Sequence, residues 1–78
     1  MRTITLDDCY ELQKRFDAYC DTAEQHEFPL LFIVDTKMRQ SIANFEEAGE
    51  IANQKDANAM FRVVLRVIHQ DFSEYEET

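Results

Sequence analysis

Residues 29–34, Pro29-Leu30-Leu31-Phe32-Ile33-Val34, decide the fold. Five apolar residues after a proline fit two structures, and periodicity alone does not separate them. They can form a short buried strand, with Asp35 or Thr36 then capping a helix. They can equally form the opening turns of a helix that starts with Pro29, where its missing N–H is not needed. A strand needs a pairing partner, and only Arg2 to Thr5 offers one. The helix gives three segments of similar length, which pack naturally as a bundle. The expected fold is therefore all-α: three amphipathic helices in a small bundle, oligomeric. The alternative is α+β with a short strand at 30–34.

Upstream, Thr5 followed three residues later by Asp8 approximates an N-terminal cap, and Asp7, Asp8 and Glu11 suit a helix's positive end. At about 100° per residue, Leu6, Cys9, Leu12, Phe16, Tyr19, Cys20 and Ala23 gather on one face. The first helix is expected from about Thr5 to His26, ended at or before Phe28 by Pro29. Cys9 and Cys20 lie eleven residues apart on its stripe. That spacing separates them by roughly 16 Å along the axis, whereas a disulfide needs Cα atoms within about 7 Å. They read as two core thiols, with an intermolecular bridge or a reactive thiol as the alternative.

Downstream, Met38, Ile42, Phe45, Gly49 and Ala52 share a face of a helix expected to run to Ala52. Asn53 to Asp56 reads as a polar turn, with Asp56 capping a third helix from Ala57 to about Tyr75. Ala57, Met60, Phe61, Val64, Leu65, Val67, Ile68, Phe72 and Tyr75 cover about 160° of that helix, and Val63 widens the arc. An arc so wide meets more than one neighbour, in a bundle centre or at an oligomer interface. The tail from Ser73 to Thr78 is expected to fray. No linker or repeat divides the chain, which reads as one helical domain over 1–78.

Composition narrows the function. Forty-five per cent apolar content disfavours disorder, and one Gly and one Pro exclude linkers and Pro-rich ligands. A folded chain of this length hides only about 60% of its unfolded surface, so a partner is welcome. The acidic start of the sequence is unlike a signal peptide, and the run at 30–34 is far short of the roughly 20 residues that span a bilayer. The expectation is a cytoplasmic protein with no membrane contact.

The search for chemistry returns little. His26 and His69 stand in no zinc-ligand spacing, Ser41 and Ser73 lack a nucleophile-elbow context, and one Gly cannot build a phosphate-cradling loop. Adjacent acids such as Asp7/Asp8 and Glu46/Glu47 read as solvated helix surface. No enzyme activity, cofactor or metal is expected.

Charge carries more. Sixteen acids against eight bases give −8, spread over both halves of the chain rather than held in a tail. Carboxylates along helix faces can imitate the phosphates of nucleic acid and so occupy the basic channel of a nucleic-acid-binding protein. Direct nucleic-acid binding is not expected, because no Lys/Arg cluster with interleaved aromatics exists. Within this acidity, Arg62, Arg66 and His69 form one basic stripe at spacings of four and three.

Two functions follow. The first is a small acidic interaction or regulatory protein that binds and modulates a protein partner, inhibition being one such mode. Asp17, Asp21, Glu24, Glu46, Glu47 and Glu50 would meet its basic surface, and Leu31, Phe32 and Ile33 would supply apolar contact. Inhibitors carried by phages and mobile elements share this size, acidity and lack of motifs, an analogy of composition. The alternative is a homo-oligomer that holds a small anion, such as a nucleotide, with Arg62, Arg66 and His69. A plainer role for those bases is to pair with Asp17, Glu46 or Glu47 of neighbouring helices.

Overall fold

The computed structural model describes residues 2–75. Within them lie three α-helices, α1 (Leu6–Thr22), α2 (Phe28–Ala48) and α3 (Gln54–Val67), and single 3₁₀ turns at Gln25–Glu27 and Ser73–Tyr75. Residues 30–34 are helical, so the strand alternative falls. Pro29 sits in the first turn of α2, where it leaves no orphaned hydrogen bond. The one segment that a strand would have needed is occupied otherwise. Ile4 N–H donates to Gln54 Oε1 at 2.9 Å, and Gln54 Nε2 donates to the Ile4 carbonyl at 2.7 Å. A side-chain amide thus satisfies the extended N-terminal backbone in place of a ladder.

The start of α1 forms as its sequence implies. Thr5 accepts from Asp8 N–H, and the Asp8 carboxylate accepts from Thr5 N–H, which completes a capping box. Arg2 adds a forked contact to the same carboxylate, at 2.6 and 2.9 Å. That guanidinium holds the Asp8 carboxyl down at about 2.

The ends depart from the sequence reading, each for a local reason. Helix α1 stops at Thr22 instead of His26, because Ala23 and Glu24 turn extended. The Glu27 carboxylate then folds back to accept from Glu24 N–H at 3.0 Å and from the Tyr19 hydroxyl. Side-chain bonds of this kind offer the backbone an alternative to another helical turn. Helix α2 stops at Ala48 because Gly49 adopts φ 92 and ψ 161, a region almost confined to glycine. Helix α3 begins at Gln54, so Asp56 sits inside its first turn, where it still complements the helix dipole.

The largest departure is the C-terminus. Helix α3 ends at Val67 and not near Tyr75, and His69 takes φ 60. Gln70 N–H then reaches the Leu65 carbonyl at 2.8 Å and His69 N–H reaches the Arg66 carbonyl at 3.1 Å. These two bonds form a Schellman-type stop with histidine where glycine is usual. The chain doubles back, and Tyr75 stacks edge-on against Phe61 with centroids 4.9 Å apart. Far from fraying, Tyr75 is buried. Residues 76–78 of the expected tail lie outside the described residues.

Phe16, Phe45 and Phe61 are the largest fully buried side chains, joined by Leu12, Met38 and Leu65. Every buried residue among those described is apolar. Each such Phe or Leu contributes roughly 1.5–3 kcal/mol on leaving water. Helix α2 packs against both α1 and α3, and so fixes which of its flanks faces each.

Two outcomes follow. A Cβ at position 49 would meet nothing within 4 Å, so Gly49→Ala is penalised through the backbone alone. It should cost about 1–3 kcal/mol in urea unfolding; an unchanged midpoint would contradict the assigned turn. The pKa of Asp8 is lower folded than unfolded, so its stabilisation is present above 3.8 and is lost as pH falls through about 2. Asp8→Asn should therefore cost about 1–2 kcal/mol at neutral pH. The gap to the unsubstituted protein should close as pH approaches 2.

Candidate functional site

Helix α2 has a single buried stripe, Leu31, Val34, Met38, Ile42 and Phe45. Its N-terminal half is apolar on other sides too, and those residues remain outside. Phe32 is 74% exposed, Ile33 55%, Leu30 54% and Phe28 48%. At about 100° per residue these four divide between two flanks.

Phe28 and Phe32 fall on the flank shared with α1, in line with Arg39 and Glu46. Contacts fix that direction. Arg39 bridges Asp35 at 2.9 Å and lies 3.6 Å from Asp17, and Glu46 accepts from the Tyr10 hydroxyl. Burial raises the Cys20 thiol pKa, and the carboxylates of Asp17, Asp35 and Asp21 push it further, so three acids gather at this flank. Cys9 is raised to about 11, chiefly by burial. Both cysteines are free and protonated at neutral pH, which suits core thiols better than reactive ones.

Leu30, Ile33 and Lys37 fall on the flank shared with α3. There a groove of about 360 Å³ runs between the helices, lined by Val34, Lys37, Met38 and Ser41 on one side and Asp56, Met60 and Val63 on the other. Val63 is 52% exposed. Beyond Val63 a pocket of about 470 Å³ brings together His26, Glu27, Leu30, Arg66, Val67 and His69.

Charge follows the same division. Helix α1 carries Asp7, Asp8, Glu11, Asp17 and Asp21 against Lys14 and Arg15. Helix α3 carries only Asp56 against Lys55, Arg62 and Arg66. One side of the molecule is acidic, and the α3 side is not.

The residues singled out by sequence are distributed unevenly. Asp17 and Asp21 share the α1/α2 flank with Phe32, and Glu46 reaches it through Tyr10. Glu24 and Glu47 are exposed elsewhere on the surface. Leu31 is buried at 4% in the α2 core stripe and shows only at the wall of the pocket with Arg66 and His69, away from Phe32. Glu50 accepts from Leu6 N–H at 2.9 Å, which ties the α2–α3 turn to the start of α1. Ile33 stands on the opposite flank from Phe32.

The basic stripe is bent. Arg62 donates to Asn58 and its guanidinium lies over the Phe72 ring, 4.4 Å from the centroid. His69 leaves the helix at the Schellman turn and meets the Tyr19 ring. The ion pairs weighed for these bases are not those that form: Asp17 takes Arg39, and Glu46 takes Tyr10. Arg66 and His69 do share a pocket, joined by His26, but an anion entering there meets the Glu27 carboxylate as well.

Lys37 and His26 are additions to these sites, whereas Val63 widens the apolar arc already legible in the sequence of the third helix. A signal existed for Lys37: once 28–48 is one helix, Leu30, Ile33 and Lys37 follow at spacings of three and four. Among the described residues no group of three or more His, Cys, Asp or Glu could hold a metal ion, and no helix is long and apolar enough to cross a membrane. No family model, curated protein or solved structure matches the chain.

Proposed function

We propose that the chain is a small acidic interaction protein that binds and modulates a protein partner and performs no chemistry of its own. The observation that carries this reading is the α1/α2 flank, where the highly exposed Phe32 shares a surface with Asp17, Asp21 and Asp35. An exposed aromatic on a flank where three carboxylates outnumber one arginine suits a basic surface with an apolar recess, because the excess acid steers the encounter and the ring supplies desolvated contact. The partner is a nucleic-acid-binding protein whose basic channel takes these acids in place of phosphates. Its site of action is the cytoplasm, where unpaired thiols such as Cys9 and Cys20 are usual. The size and acidity are those of inhibitors carried by mobile elements, which favours inhibition as the mode of modulation.

The test uses the immobilised full chain and extract from its host. A nucleic-acid-binding protein should be captured, released by added duplex DNA, and held less tightly as salt rises. Replacing Asp17, Asp21 and Asp35 by their amides, or Phe32 by Ser, should abolish capture without unfolding the bundle. Capture indifferent to DNA and to all four substitutions would overturn the reading.

A further inference from the structure

The α2/α3 flank is a second surface, distinct from the one that carries the proposed function. Its floor is apolar: Val34, Met38, Met60 and Val64 are all buried along the groove. Val63, more than half exposed, lies at its edge, and Ile33, also more than half exposed, falls on the same flank of α2 by helical spacing. Two exposed apolar side chains beside an apolar floor, rimmed by polar residues such as Lys37 and Asp56, are the make-up of a contact surface.

Its charges indicate what covers it. Lys37, Arg66 and Asp56 make no ion pair with any described residue, although all three line this side of the molecule. With Glu27 they balance, two bases against two acids. The α1/α2 flank, by contrast, sets Asp17, Asp21 and Asp35 against Arg39. A molecule of net charge −8 is repelled by its own copy across acidic surfaces. Across the balanced flank it is not.

We infer that the α2/α3 flank is the interface of a symmetric dimer, occupied by a second copy of this chain. A two-fold axis near Val63, perpendicular to the groove, makes the contact self-complementary. Val63 and Ile33 of both copies then meet at the centre. Helix α3 runs antiparallel to its counterpart, so Arg66 swings towards the partner's Asp56, and reciprocally. The excess acids stay on the outside, and the dimer presents two α1/α2 flanks. This pairing stands whether or not those flanks engage a basic partner; if they do, a dimer binds two sites at once.

Sedimentation velocity of the full chain, from micromolar to submillimolar concentration at low and high sodium chloride, tests it. A dimer should form, and added salt should tighten it by screening the repulsion between two −8 molecules. Ile33→Lys and Val63→Lys should each weaken it by about tenfold or more. Both reduce the net negative charge, so the long-range repulsion between copies falls. At the two-fold centre each lysine meets its own counterpart and loses the apolar contact. Ile33→Ser and Val63→Ser, which add no charge, should weaken the dimer too. Both positions are exposed, and circular dichroism should show the helices intact. Phe32→Lys, on the other flank, should leave the dimer unchanged. A chain that stays monomeric throughout, a dimer weakened by salt, or one that responds to position 32 and not to 33 and 63 would each overturn the proposal.

Discussion

Three helices around one core can each bury only one stripe, and the rest of this structure follows from that limit. In α1 and α3 the apolar residues nearly fit the stripe. In α2 they do not. Leu31 and Val34 turn inward to join Met38, Ile42 and Phe45, while Phe28, Leu30, Phe32 and Ile33 are left on the two outer flanks. No repacking within a three-helix chain would cover both flanks, because α1 and α3 already occupy the inward side. The surplus apolar surface is therefore a property of the architecture, and it is the surface on which both proposed contacts rest.

Closure of the small core depends on segments outside the helices. Ile4 is buried under the Gln54 amide clasp, and Tyr75 returns against Phe61 from beyond the end of α3. The Arg2 guanidinium, bound to Asp8, lies 4.9 Å from the Tyr75 ring centroid, so the two ends of the described chain meet at one place. Arg15 bridges Glu74 nearby. The polar groups in these ties are no more than part-buried, and every buried residue among those described is apolar. Ordinary surface ion pairs contribute little, but ties that hold Ile4 and Tyr75 in the core act through the area these two residues bury.

Much of this was legible in the sequence. Thr5 and Asp8 announced the start of α1, the periodicity from Met38 to Phe45 announced the core stripe of α2, and Cys9 and Cys20 read correctly as separate thiols. Helix ends were less legible, because they depend on side chains binding nearby backbone. Glu27 folding onto Glu24, Gly49 in a region closed to other residues, and His69 at positive φ leave little trace in hydrophobic periodicity. The breadth of the apolar arc from Ala57 to Tyr75 held the clue to the C-terminus. A single helix would have splayed those residues, and the turn at His69 gathers them. The candidate surfaces were legible in kind but not in grouping. Phe32 and Ile33 are adjacent in sequence, yet the continuous α2 helix places them on opposite flanks beside unlike charges.

The net −8 therefore resolves into two surfaces. The α1/α2 flank combines carboxylates with Phe32 and suits a basic protein. The α2/α3 flank combines a balanced set of charges with Ile33 and Val63 and suits a second copy. The most direct measurement is isotope-filtered NOE spectroscopy on a mixture of labelled and unlabelled chain at submillimolar concentration. Cross-peaks between the Ile33 methyls of one copy and the Val63 methyls of the other are predicted. Their absence, with Ile33 and Val63 shifts unchanged on dilution, would contradict the assignment of that flank as an interface.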